Sequence, residues 1–321
     1  MTDMTAANTC ERPNRADWQA RMHELGRMHG FFEHLGPEHF ALYVQESSTL
    51  LVSFDEIDRV IEKGDDALPI GFEAVKKREW SMLSILADGR TWFRDQGLCR
   101  FFDKLADEGF FDSFEQVIFL GAGPMCGHAA AAFSAAAPGA KVVALSPAAT
   151  LEREAAPFEL RFRTAWRRDF GGRYGYAPDM LRSAAQAYVI YDPLEVLDAA
   201  HAALFRGTTC QRLRFRGGGA SILPLLEPHG NLDRVLKAAA GNRLTVQRFS
   251  QITRRLRQSD RGYLERLLAR VEDRGGPRLA AMVARRALSV TGGAHFARRL
   301  SALEAQLADA GEGAPMAVAG E

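Results

Sequence analysis

Val117-Ile118-Phe119-Leu120-Gly121-Ala122-Gly123-Pro124-Met125-Cys126-Gly127-His128-Ala129-Ala130-Ala131-Ala132 is the stretch that decides the fold. Gln116 to Leu120 is essentially a continuous apolar run, the pattern of a strand buried on both faces. Glycines follow at 121, 123 and 127, and an alanine-rich helix is predicted from His128 to Ala137. Pro138-Gly139 stops that helix, and Lys141 to Leu145 reads as the next strand. Strand, glycine turn, helix and strand in about thirty residues predict a right-handed parallel βαβ unit.

On the N-terminal side, Trp18 to Leu35 has helical spacing and carries His23, His29 and His34, with His39 just beyond. Their spacing does not put them on one helical face, so no metal site is expected. Phe40 to Val44 and Leu50 to Phe54 read as strands joined by the polar turn Glu46-Ser47-Ser48, and Trp80 to Leu86 as a third. Leu98 to Leu105 has the spacing of a helix. On the C-terminal side, the chain becomes helical and basic after Ser146-Pro147. Ala187 to Tyr191 is a further strand, Leu194 to Phe205 its helix, and Gln211 to Phe215 the last strand. Gly217-Gly218-Gly219 closes the sheet region, and everything beyond Gly230 reads as amphipathic helix. The expected organisation is a leader and helix over 1–38, an α/β core over 39–236 with a helical cap at 157–186, a helical appendage over 237–310 and a disordered tail at 311–321.

The chain has 321 residues, with 41 Lys or Arg against 40 Asp or Glu, a formal net charge of +1. That balance gives no global reason to expect nucleic acid or an acidic membrane surface as partner. No apolar run of about 18 residues occurs, so no transmembrane helix is expected. The polar stretch Met1 to Asp17 lacks the apolar core of a secretory signal. Cys10, Cys99, Cys126 and Cys210 lie far apart without metal-type pairing, which reads as reduced thiols of a cytoplasmic protein.

A glycine turn that opens a helix points backbone N–H groups outward and favours an anion or an oxyanion. Gly121, Gly123, Met125 and Gly127 are the candidate residues of that turn. Dinucleotide binding, to NAD(P) or a flavin, is one use. It requires an acid near the end of the next strand, and here that strand ends Ala144-Leu145-Ser146-Pro147 with no acid until Glu152. The second use is the nucleophile elbow, G-x-S-x-G between strand and helix. Val117 to Ala130 resembles the "yGxSMGGYaA" segment of α/β-hydrolase-like proteins, some linked to surface-glycan or secretion work. Ser146-Pro147-Ala148 resembles the "SPQ" that ends their next strand, and Leu50 to Phe54 an early core strand. Tyr191-Asp192-Pro193 falls where such proteins place the triad acid, and Gly217-Gly218-Gly219-Ala220 where they often have "GGxH". The resemblance covers roughly Phe40 to Leu236. It implies an α/β-hydrolase-like fold with a mostly parallel sheet, extended here by a helical C-terminal appendage.

The departures from that pattern bear on activity. The nucleophile slot holds Gly123 or Pro124, and the slot for the base holds Ala220, which moves no proton. Cys126, at the helix N-terminus, is the alternative nucleophile, with Asp192 as orienter, His229 as a base folding back, and turn N–H groups near Cys126 and Gly127 as oxyanion donors. That set would give an acyl-ester or thioester hydrolase or transferase. Proteins with this combination of segments also resemble a group often labelled phosphoadenosine phosphosulfate reductase. Cys126-Gly127-His128 is similar to part of that enzyme's Glu-Cys-Gly-x-His, but Met125 replaces the Glu and no phosphate loop of Ser-Gly-Gly-x-Asp-Ser type occurs.

Arg161 to Phe170 interleaves arginines with aromatics. Arg163, Arg167, Arg168 and Arg173 are candidate anion binders, while Phe162, Trp166 and Phe170 have the spacing of an amphipathic cap helix. A second basic face runs through Arg254, Arg255, Arg257, Arg261 and Arg266. The leading expectation is a hydrolase-like protein with an incomplete triad and no cofactor. It would bind a small molecule or glycan at the glycine turn, or a protein partner through the C-terminal helices.

Overall fold

The computed structural model describes residues 14–63 and 67–309. Eight strands build one sheet: β1 (Gly30–His34), β2 (His39–Val44), β3 (Thr49–Glu56), β4 (Ser81–Ala87), β5 (Gln116–Ala122), β6 (Lys141–Leu145), β7 (Gln186–Tyr191) and β8 (Cys210–Arg214). Their spatial order is β1-β2-β4-β3-β5-β6-β7-β8. β2 runs antiparallel to β1 and β4, and every other pairing is parallel. The helices are α1 (Arg15–His29), α2 (Ile57–Glu62), α3 (Phe72–Arg78), α4 (Gln96–Asp107), α5 (Gly123–Phe133), α6 (Ala177–Met180), α7 (Val196–Leu204), α8 (Leu223–Leu226), α9 (Asn231–Ala240), α10 (Val246–Ser259), α11 (Arg261–Arg274), α12 (Gly276–Thr291) and α13 (Ala294–Asp309).

Period-2 alternation divides most of the sheet's side chains between two cores, while Phe40, Leu42, Val44 and Leu86 join a third around Trp18 and Met22 of α1. Leu50, Val52, Phe54, Phe119, Val142 and Val189 face α4, α5 and the segment after β6. Leu51, Ile118, Leu120, Val143, Tyr188 and Leu213 face α3, α9 and α10. Helices on both faces explain why β5 to β7 read as unbroken apolar runs. With a tight glycine turn between β5 and α5, this is an α/β-hydrolase-like fold with a mostly parallel sheet. The C-terminal helices are present as expected. α10 buries Phe249, Ile252 and Leu256 on the sheet domain. α11 to α13 enclose a smaller core around Leu268, Ala284, Phe296 and Leu303. Among the described residues, no helix is long and apolar enough to cross a membrane.

Two expectations change. The helix predicted over Trp18–Leu35 ends at His29, and Gly30–His34 becomes the edge strand β1. A Cβ on Gly30 would lie 2.3 Å from Tyr43 O, so glycine permits the close approach, and Phe32 then stacks on Phe40 at 5.6 Å. The strands β2 and β3 are joined by the polar turn as read, and β4 lies between them in the sheet. The basic stretch after Ser146 is mostly irregular, with only a 3₁₀ turn at Arg163–Arg167 and the single turn α6. Tertiary ion pairs pull its arginines in different directions: Arg161 to Glu159 and Asp198, Arg168 to Glu38, and Arg173 to Asp103. The proposed leader lies mostly outside the described residues, although Arg15 and Ala16 open α1, and the tail at 311–321 lies wholly outside them.

Candidate functional site

At the end of β5 the backbone turns sharply into α5. Gly121 is demanded there by packing, since a Cβ would lie 2.0 Å from Cys126 O. Gly123 takes φ +87°, in the left-handed region that glycine enters without strain, and a Cβ on it would meet nothing within 4 Å. The empty space belongs to a cavity of about 170 Å³, lined by Glu56, Arg59, Arg90, Trp92, Gly123, Pro124, Met125 and Phe162. It sits at the carboxyl ends of β3 and β5, the usual ligand position of open α/β sheets. Pro124, the next residue, has no backbone N–H to offer, and no side chain caps α5.

The cavity wall carries opposed charges. Asp55, fully buried, accepts from Arg59 Nε at 2.7 Å and pairs with its Nη2 at 2.6 Å, while Arg59 Nη1 donates to Ala122 O at 3.2 Å. Burial works against the Arg59 charge, but Asp55 outweighs it and raises the pKa. Neighbouring Glu56 is half-buried, and burial pushes its carboxyl above the ordinary glutamate value despite the nearby Arg59. The loop after β4 forms the roof. Trp92 and Phe93 both take left-handed φ, +56° and +55°, which costs about 1–3 kcal/mol per residue. Trp92 N–H donates to Met125 Sδ at 3.1 Å and Phe93 N–H to Thr91 Oγ1 at 3.1 Å. Thr91 Oγ1 is also 2.7 Å from Nε2 of His39, whose pKa burial lowers to about 4. Phe162 meets Trp92 edge-on at 5.0 Å, bringing the segment after β6 into the roof.

The residues singled out in the sequence lie apart. Gly123 and Met125 line the cavity, whereas Gly127 faces Pro147 Cα, where a Cβ would come within 3.0 Å. Cys126 is buried in the core with its thiol pushed far above its ordinary value, burial being the main cause. His128 is equally buried, and burial lowers its pKa to about 3. Asp192 is fully buried after β7 and its carboxylate is occupied: Oδ1 accepts from Leu194 N, and Oδ2 accepts from Gly217 N at 3.0 Å and Gly219 N at 2.9 Å. Arg270 Nη1 of α11 approaches Oδ2 at 3.6 Å. The backbone of His229 lies in the 3₁₀ turn Pro228–Gly230. Among the described residues, no polar contact joins Cys126 to Asp192. Arg168 is held by Glu38 at 2.7 Å and Arg173 by Asp103 at 2.9 Å, while Arg163 lies over Trp166 at 6.0 Å and Arg167 is exposed.

Glu56, Arg59, Arg90 and Trp92 line the cavity without forming any recognisable motif in the sequence. The i,i+4 pair Asp55–Arg59 at the end of an apolar strand was the available signal. A buried network without a sequence motif joins the segment after β6 to α7. His201 Nε2 lies 3.0 Å from Glu159 Oε2, Ala149 N donates to His201 Nδ1 at 3.2 Å, and Arg161 bridges Glu159 to Asp198. Burial alone would raise the Glu159 pKa, but hydrogen bonds from His201 and Arg161 hold it at about 2. This network pins the segment after β6 onto α7.

No family model and no curated protein matches the chain. Among solved structures, the chain is similar to Est1E from Butyrivibrio proteoclasticus, at 12% identity over 58% of this chain and 87% of that one, with TM-score 0.38. It is similar to an esterase from Pyrobaculum calidifontis at 15% identity over 72% and 92%, with TM-score 0.42. It is also similar to the Glycosylation Associate Protein (Gap123) complex from Streptococcus agalactiae at 13% identity over 64% and 45%, with TM-score 0.43. These are likenesses of fold at low identity, and the chemistry of the site rests on its own residues.

Proposed function

We propose that this chain is a binding protein on a hydrolase-like frame, holding a small polar ligand at the elbow and transferring no acyl group. The observation that carries the reading is the pair Gly123-Pro124. The residue in left-handed conformation has no side chain to attack a carbonyl. The residue after it has no N–H, although that N–H is the principal oxyanion donor of hydrolase elbows. Losing one oxyanion donor alone slows such enzymes about 10²–10³-fold. The position of the orienting acid adds to this, because Asp192 already accepts from Gly217 and Gly219 at Oδ2 and from Leu194 at Oδ1, and the base slot holds Ala220.

What lines the cavity instead suits binding. Glu56 and Arg90 present an acceptor and a donor, and Trp92 and Phe162 an aromatic wall, a combination that fits a sugar-sized glycan unit or a small hydroxy acid. Cys126 chemistry is disfavoured because a buried thiol with a raised pKa supplies no thiolate; the same holds for a thiol-dependent sulfonucleotide reduction. A dinucleotide is disfavoured because Ala148 N donates to Pro124 O at 3.0 Å, laying Pro147 and Ala148 across the turn that a pyrophosphate would need.

The test is fluorescence titration with monosaccharides, sugar acids and short hydroxy acids, using Trp92 as reporter, alongside p-nitrophenyl and thioester acyl substrates. Saturable quenching that is weakened about tenfold or more by Arg90→Ala or Glu56→Gln is the expected result. Acyl turnover that follows the protein through purification and disappears in Cys126→Ala would sink the reading. A second role, docking a protein partner on the appendage, is supported by Leu279 and Met282, exposed one turn apart on α12.

A further inference from the structure

A second polar cavity lies near the opposite, amino ends of the central strands from the elbow. α9 ends beside the amino ends of β5 and β6, where Gln116 Nε2 and Lys141 Nζ both donate to Ala240 O. In the corner between α9 and α10 is a surface cavity of about 500 Å³ lined by Arg234, Lys237, Ala238, Arg243 and Arg248. That volume falls within the range of roughly 300–1,000 Å³ typical of small-molecule sites.

Four cations face one concavity, and among the described residues none has a carboxylate partner. Arg234 and Arg248 reach only neutral amides, Asn231 Oδ1 at 3.4 Å and Gln251 Oε1 at 3.3 Å. Asp233, the acid on the same helix, is taken by Lys77 and Arg78 on another face. The α9 dipole accounts for Lys237, which sits in its last turn. It does not account for Arg248, which occupies the first turn of α10, where a positive charge is opposed by the helix and no acid is present. The corner is also rigid. Arg243 N donates to Ala238 O at 2.7 Å, Leu244 is buried, and Thr245 Oγ1 caps α10 by accepting from Arg248 N at 3.1 Å. Converging, unneutralised cations on a fixed backbone are the arrangement that recognises multiply charged oxyanions.

We propose that the α9–α10 corner binds a small ligand carrying two or more phosphate or sulfate groups, independently of the elbow. The probe is inorganic pyrophosphate, titrated calorimetrically into the full chain at low ionic strength, with inorganic phosphate and sulfate for comparison. Pyrophosphate is expected to bind saturably and about tenfold or more tighter than either single anion, with affinity falling as salt rises. Arg243→Gln with Arg248→Gln should weaken it about tenfold or more, while Arg254→Gln with Arg257→Gln, equal in charge but outside the cavity, should leave it within about twofold. Arg248→Gln alone should keep or raise the Tm of the ligand-free protein, because it removes the charge opposed by the α10 dipole. No saturable pyrophosphate binding, or equal losses in the two double variants, overturns the proposal. So does tighter binding of a single-stranded oligonucleotide that depends on Arg254 and Arg257, which would make the face a nucleic-acid track.

Discussion

Gly123 relieves a conformation that other residues adopt only under strain, and Pro124 withholds the proton that an oxyanion would seek. Gly123→Ser places a hydroxyl at the turn but supplies neither that proton nor a base. It is expected to show no acyl hydrolysis, to weaken ligand binding by filling the cavity, and to cost about 1–2 kcal/mol in urea denaturation. Glu56 makes a prediction about pH. Burial raises its pKa in the folded state, so the folded protein holds that proton more firmly than the unfolded chain does. Stability is therefore greatest, as far as this group is concerned, below the ordinary glutamate pKa of about 4.3, and declines as pH rises through and above it. Glu56→Gln should be more stable than wild type at neutral pH and should lose that advantage in acid, as read by denaturant midpoints across the range. Cys126→Ala should cost about 1–2 kcal/mol through lost packing and leave ligand binding intact, and a thiol reagent should reach Cys126 only as the protein unfolds. At this scale the sequence showed the glycines, because they act locally. It hid Glu56 and Arg59, whose place beside Gly123 is set by β3 pairing with β5 across more than sixty residues.

The strand–turn–helix from β5 to α5 and the strands β6 and β7 were legible because burial on both faces leaves a composition that no helix on the surface shares. β1 was not, since Phe31 and Phe32 extend a helical apolar pattern, and only contact with Tyr43 and Phe40 makes them a strand. The segment after β6 was misread for a related reason: its aromatic spacing is helical, but its arginines are claimed by acids far away in sequence. The loop after β8 shows the same dependence on distant partners. It is held by Asp192, which receives Gly217 N and Gly219 N and faces Arg270. Asp192→Ala leaves three donors unpaired, the buried Gly217 N and the part-buried Gly219 N and Leu194 N, and should cost about 2–5 kcal/mol, measured by chemical denaturation, with Asp192→Asn intermediate.

Besides a third cluster around Trp18, Met22 and Leu42 under α1, the described residues form a large sheet-centred core on two faces and a smaller helical one at the C-terminus. They meet along α11, where Tyr263 stacks on Phe215 at 6.1 Å and Leu264 belongs to the smaller core. Phe296→Ala, in the middle of that smaller core, should cost about 3–5 kcal/mol there. Calorimetry is then expected to show a separate early transition for α11–α13, with the sheet domain melting near its original temperature. A single shifted transition would mean that the two cores unfold as one.

The grip of Asp192 on Gly217, Gly219 and Arg270 also has a mechanical consequence. One carboxylate at the end of β7 faces both the loop after β8 and the first helix of the C-terminal group, so strand, loop and appendage share a single fastener. A change at that one position is therefore transmitted to both, and the joint behaves as a hinge pin rather than as a broad seam.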